Sequence, residues 1–107
     1  MIANHNPQVI TTPGWPQNYP NNADCTWLIA TPDADEEVFL RFTHFSLEDN
    51  RCRYDFAKVS VDGIESDVLC GSGTDKVYNG KSRIGLFFKT DSSDTFSGFR
   101  ALYWRSK

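Results

Sequence analysis

An all-β fold, a sandwich of two sheets, is what this chain of 107 residues predicts, and three observations carry the prediction. Short segments alternate apolar and polar residues, turn signals separate them, and no stretch shows the helical apolar period of about 3.6 residues. In chain order, Cys25, Trp27 and Ile29 alternate up to the break at Thr31-Pro32, and Val38, Leu40 and Phe42 alternate beyond it. Ala57, Val59 and Val61 come next and end at Asp62-Gly63; Val77 leads into Asn79-Gly80; then come Ile84, Leu86 and Phe88, and finally Phe99, Ala101 and Tyr103. Each segment reads as a strand with one face in a core. Asp62-Gly63 and Asn79-Gly80 are the dipeptides that two-residue hairpin turns favour, so hairpins are expected at both. Loops then gather at the two ends of the sandwich.

Composition narrows the function classes. The chain is 39% hydrophobic and 14% aromatic, enough apolar material for one compact core. Its net charge of −3 argues against nucleic acid and anionic lipid, both of which need a basic face to displace counterions, and makes a basic partner the better expectation. No apolar run approaches the roughly 18 residues of a membrane span, and the N-terminus lacks the charged and apolar regions of a signal peptide. With no internal repeat, low-complexity tract or linker, residues 1–107 are expected to form a single domain. The Met1-Ile2-Ala3 opening is expected to be an expression start on an excised fragment of a larger protein.

The cysteine count is odd: Cys25, Cys52 and Cys70. None is spaced as Cys-x-x-Cys and neither His5 nor His44 lies near a cysteine pair, so a tetrahedral zinc site has little support. The loop between Cys52 and Cys70 is of a size that a disulfide stabilises by roughly 3 kcal/mol in the chain-entropy model, and that use of cysteine belongs to an oxidising, extracellular setting. Cys25 is then either a buried free thiol or the half of a pair whose partner lies upstream of Met1.

The segments "TTPGWPQNYPNNADCTWLI", "LRFTHFSLEDNRCRYDF", "VDG", "LCG" and "FFKTDSSDTFSGFRALY" succeed one another in an order and spacing that resembles a CUB domain, over residues 9 to 104. CUB domains are extracellular modules of complement proteases, tolloid-like proteases, spermadhesins and endocytic receptors, where they bind other proteins. The resemblance implies an antiparallel two-sheet sandwich of jelly-roll type. It implies that Cys52 and Cys70 form the family's second disulfide and that Cys25 is half of the first, for which this chain holds no second cysteine.

Some CUB domains similar to this one bind calcium through a Glu in an "LE" position, an Asp in a "YD" position and an Asp in an "SD" position, which the resemblance assigns here to Glu48, Asp55 and Asp91 of "KTDSSD". The loops after Phe45 and after Phe88 can share one end of a sandwich, which would let the three carboxylates converge. Crowded carboxylates raise one another's pKa, and a hard divalent cation relieves the repulsion by taking an oxygen from each. Main-chain carbonyls around Ser92 and Ser93 are expected to complete the shell, since calcium takes roughly six to eight oxygens. The resemblance also places Tyr19, of the "YP" element, in support of the site, and implies that a partner lysine meets Glu48 and Asp55 with Tyr19 and Ser93 beside it. The competing reading of these residues is solvated loop charges and a turn cap.

The remaining features favour ordinary roles. The run "DADEE", Asp33 to Glu37, is expected to be a solvated turn rather than a second cation site. His44 has Ser46 nearby but no nucleophile-elbow glycines, so catalysis is not expected. Trp15, in "PGWPQNYP", is expected to pack against a sheet edge. The primary expectation is a calcium-dependent module that captures a lysine of another extracellular protein. Two alternatives stand beside it: a carbohydrate-binding sandwich using tryptophans and tyrosines, and a structural spacer or assembly module of a multidomain secreted protease.

Overall fold

The computed structural model describes residues 2–31, 36–47, 55–73, 76–91 and 95–105. Eight strands are found among them: β1 (Gln8–Thr11), β2 (Asp24–Ala30), β3 (Val38–Ser46), β4 (Phe56–Val61), β5 (Ile64–Leu69), β6 (Val77–Gly80), β7 (Arg83–Lys89) and β8 (Gly98–Arg105). They form two antiparallel four-stranded sheets, ordered β1-β8-β3-β6 and β2-β7-β4-β5, packed as a jelly-roll-type sandwich. No described helix is long and apolar enough to cross a membrane.

The alternation read from the sequence is the sorting of side chains between core and solvent. Val38, Leu40 and Phe42 of β3 face inward while Arg41 and Thr43 face out, and Ile84, Leu86 and Phe88 of β7 meet them from the other sheet. The centre is an aromatic cluster in which Phe99 lies edge-on to Phe42 and to Phe88, each at 5.4 Å between centroids. Tyr19, buried in the connection between β1 and β2, continues that cluster by meeting Phe88 edge-on at 5.2 Å.

Asp62-Gly63 forms the expected hairpin turn. Val61 pairs with Ile64 across it, and both turn residues have positive φ, 53° and 89°, the signature of a type I′ turn matched to strand twist. Asn79-Gly80 does not form the other. Both residues belong to β6, which pairs with β3, whereas β7 lies in the opposite sheet, so the chain crosses between sheets here. Glycine at position 80 answers close packing, since a Cβ there would run into the main-chain oxygen of Arg83. Two strands carried no clear signal. β1 has four residues, and β5, with the sequence IESDVL, is an edge strand whose side chains are mostly exposed and so show no core-facing alternation.

The run "DADEE" needs one correction. Asp33, Ala34 and Asp35 lie outside the described residues, but Glu36 is 4% exposed rather than solvated. Its carboxylate lies 3.0 Å from His5 Nε2 and 3.0 Å from an Arg105 guanidinium nitrogen. The main-chain nitrogen of Arg105 also donates to the Asn4 carbonyl, so Glu36 pins the N-terminal segment to the end of β8.

Candidate functional site

The antiparallel order places the connections leaving β1, β3, β5 and β7 at one end of the sandwich. Hydrogen bonds between these connections tie that end together: Tyr19 N donates to Phe96 O (3.0 Å), Asn22 N to Asp91 O (2.7 Å), Leu47 N to Gly71 O (2.8 Å) and Thr90 N to Ala23 O (3.0 Å). Thr90, buried, adds two more through its hydroxyl, which accepts from Ala23 N at 2.7 Å and donates to Pro20 O at 2.9 Å. The segment holding Tyr19 is thereby locked against the residue before Asp91.

Asp55 lies at the centre of this end, immediately before β4, and is completely buried at 0% exposure. The Tyr19 phenol donates to its Oδ2 at 2.6 Å, and the Asp91 main-chain nitrogen donates to its Oδ1 at 2.9 Å. Burial pushes the Asp55 carboxyl above the usual carboxylate range; the bonds from Tyr19 and the Asp91 amide pull it back, and the adjacent Asp91 carboxylate pushes it up again. A carboxylate held in place by donors yet crowded by a like charge suits a cation, and the donor set here is oxygen throughout. This fits a hard ion such as calcium better than zinc, which prefers nitrogen and sulfur. Among the described residues no group of three or more His, Cys, Asp or Glu converges.

Of the residues singled out in the sequence, Tyr19, Asp55 and Asp91 are brought together. Glu48, Ser92, Ser93 and Cys52 lie outside the described residues. Cys70, at the same end after β5, is disulfide-bonded, and Cys25 is a half-buried free thiol whose partial burial raises its pKa. His44 shares a 3.0 Å hydrogen bond with Ser97 and meets the half-buried Trp15 ring edge-on at 4.7 Å, a surface packing role for both.

Sequence reasoning missed the residues that lock the end, Thr90 among them. Thr12 is buried, and its Oγ1 accepts from Phe99 N at 3.2 Å. Gly98 has φ of +89°, and a Cβ there would collide with the Thr12 side chain. The signals were present, a threonine next to the acidic residue in "KTD" and a glycine opening the last strand, but threonine and glycine in loops are too common to stand out.

A family model described as CUB domain matches residues 2–103. The chain belongs to the CUB family. Tolloid-like protein 2 of Homo sapiens is 38% identical over 105 residues, covering 92% of this chain and 10% of that protein. The full extracellular region of zebrafish Gpr126/Adgrg6 contains a similar fold, with a TM-score of 0.87 at 27% identity over 98% of this chain and 14% of that one. The crystal structure of the MASP-1 CUB2 domain bound to Ca2+ superposes with a TM-score of 0.83 at 26% identity, covering 96% of both chains. This CUB domain spans about a tenth of the length of Tolloid-like protein 2. CUB domains are non-catalytic modules that mediate protein interactions outside the cell or on cell-surface ectodomains, and this one is extracellular in the same sense.

Proposed function

We propose that this CUB domain is a calcium-dependent interaction module that captures a lysine of a partner protein. The observation that carries the reading is the fully buried Asp55 carboxylate, held by Tyr19 and the Asp91 amide and crowded by the Asp91 carboxylate. Asp55 and Asp91 would hold the ion together with Glu48 and main-chain oxygens at Ser92 and Ser93. Calcium supplies charge neutralisation and a fixed geometry for oxygen ligands, with no role in bond making. The protein's own part is positional. The Tyr19 phenol and the Asp91 amide fix both oxygens of the buried Asp55, while Asp91 itself is only half-buried. An ammonium with three donors suits an acidic rim, and its expected partners are Glu48 and Asp55, flanked by Tyr19 and Ser93; Asp55 and Tyr19, both buried, would act on it from beneath the rim. The net charge of −3 favours encounter with a basic partner.

Residues 1–107 serve, on this reading, as one domain of a larger extracellular protein, with Cys70 bonded to Cys52. The calcium-bound MASP-1 CUB2 domain, alike over 96% of both chains, supports carrying the ion over. A glycan reading has one observation in its favour: Phe39 and Trp104 are stacked at 5.5 Å on the outward face of the first sheet. Their rings are only 12° from parallel and cover each other's inner faces, which leaves less stacking surface for a sugar.

The test is an NMR titration of the 15N-labelled domain with N-acetyl-lysine amide, in calcium and again in excess chelator. Shifts at Tyr19, Asp55 and Asp91 that require calcium support the mechanism. The same shifts in chelator, or none in calcium, reject it.

A further inference from the structure

The end of the sandwich that holds the acidic pair also carries a cavity of about 180 Å³ lined by Ser46, Leu47, Gly71, Ser72 and Phe96. Hydrogen bonds between two connections build its wall. Leu47 N donates to Gly71 O, Gly73 N donates to Phe45 O at 3.1 Å, and Ser46 pairs with Ser72 in an isolated antiparallel bridge, so the two connections are laced side by side. Phe96 lines the cavity from the connection before β8 and stays 41% exposed. Its main-chain oxygen accepts from Tyr19 N, the residue whose phenol holds Asp55. The wall of the cavity and the acidic pair are thereby tied through Tyr19.

We infer that this cavity is a second subsite, which takes an apolar side chain of the same partner that presents the lysine. The inference rests on the lysine reading for the partner's identity, and on the cavity alone for its chemistry. A cavity of about 150 Å³ is large enough to hold benzene, so this one accommodates a leucine, isoleucine or phenylalanine side chain. Leu47 forms the floor, Phe96 supplies an apolar wall, Gly71 adds no side chain to fill the space, and the hydroxyls of Ser46 and Ser72 make a polar rim. An apolar anchor surrounded by polar contacts is the usual arrangement of an interface centre. The carboxylates at the same end of the sandwich select a basic residue, so the occupant is an extended partner segment in which an apolar residue accompanies the lysine. That combination discriminates among lysine-bearing proteins, which a bare charge contact does not.

The test uses three probes on the calcium-loaded 15N-labelled chain: N-acetyl-leucine amide, and peptide amides in which lysine is flanked on both sides by leucine or on both sides by glycine. The inference expects N-acetyl-leucine amide to shift the amides of Leu47, Gly71, Ser72 and Phe96. It expects the leucine-flanked peptide to bind about fivefold to tenfold more tightly than the glycine-flanked one. Phe96→Ala, which removes the wall, and Ser72→Trp, which fills the space from an exposed position, should each bring that ratio to one. No shift at the cavity with N-acetyl-leucine amide, or a leucine preference that survives Ser72→Trp, overturns the inference. If the glycine-flanked peptide fails to bind at all, the lysine reading falls; the cavity is then still decided by the N-acetyl-leucine amide shifts.

Discussion

Replacing Tyr19 by phenylalanine removes one oxygen from the centre of the proposed site and little else. The ring keeps its edge-on contact with Phe88 at 5.2 Å and its place in the core at 1% exposure. The loss is the 2.6 Å bond from the phenol to Asp55 Oδ2. A buried hydrogen bond to an ionised group contributes about 1.5–3 kcal/mol, and no water replaces the donor where the carboxylate is wholly enclosed. For a domain of this size that loss corresponds to a fall in melting temperature of roughly 6–15 °C at neutral pH. Near pH 3, where Asp55 is protonated, the bond is between neutral groups and the fall should shrink to about half. The proposed calcium site sharpens the test. A residue that orients a metal ligand typically changes affinity about 10–100-fold, so the calcium midpoint of Tyr19→Phe should move by that factor. Differential scanning fluorimetry over a calcium series at two pH values reads both effects. A Tyr19→Phe protein that melts within about 2 °C of wild type and keeps its calcium midpoint refutes the claim that the phenol holds Asp55.

Asp55, Asp62 and Glu36 each give a further expected outcome. Because burial raises the Asp55 pKa, its contribution to stability is fully present below the unfolded value of 3.8 and is lost as pH rises through the elevated folded value. Metal-free protein should therefore lose stability relative to Asp55→Asn as pH rises to neutrality, and calcium should remove the difference; parallel pH profiles for the two proteins would contradict this. Asp62 behaves oppositely, since hydrogen bonds from the main-chain nitrogens of Lys81, then Ser82 and Arg83, hold its carboxyl at about 2, below 3.8. Its stabilisation is present above 3.8 and lost as pH falls through about 2, so Asp62→Asn, which keeps the positive-φ turn, should cost about 1–2 kcal/mol in urea at pH 7 after solvent screening, and almost nothing at about pH 1.5. Glu36→Ala should cost about 1–3 kcal/mol by leaving Arg105 and His5 without their carboxylate, and a double-mutant cycle with Arg105→Ala should show coupling; a coupling of zero would show that the buried pair contributes nothing.

How legible each element was in the sequence depends on how its residues meet water. β2, β3, β4, β7 and β8 each keep one face in the core, so the period of two was written into Ile29, Leu40, Val59, Leu86 and Ala101. β5 has no such face to reveal: Ile64 is among the most exposed apolar residues, and the strand is held by its ladder with β4. Asn79-Gly80 misleads because the same dipeptide suits a tight hairpin and a strand end squeezed against Arg83, and only the sheet assignment separates them. At the site, the family pattern pointed to Tyr19, Asp55 and Asp91, but the physics of the site is the burial of Asp55, and burial of a loop aspartate leaves no mark in local sequence. Glu36 makes the same point from another part of the sandwich. Inside an acidic run it reads as solvated, and only its distance to His5 and Arg105, far away in the chain, shows otherwise.

The central claim is that Asp55 and Asp91 hold calcium, and isothermal titration calorimetry of the chelator-stripped chain with calcium chloride tests it most directly. The account predicts one site per chain with a dissociation constant of about 10⁻⁴–10⁻³ M, the range of extracellular modules, and no binding heat in Asp55→Ala. A wild-type titration with no heat beyond dilution, or an Asp55→Ala protein that binds as wild type does, would contradict it.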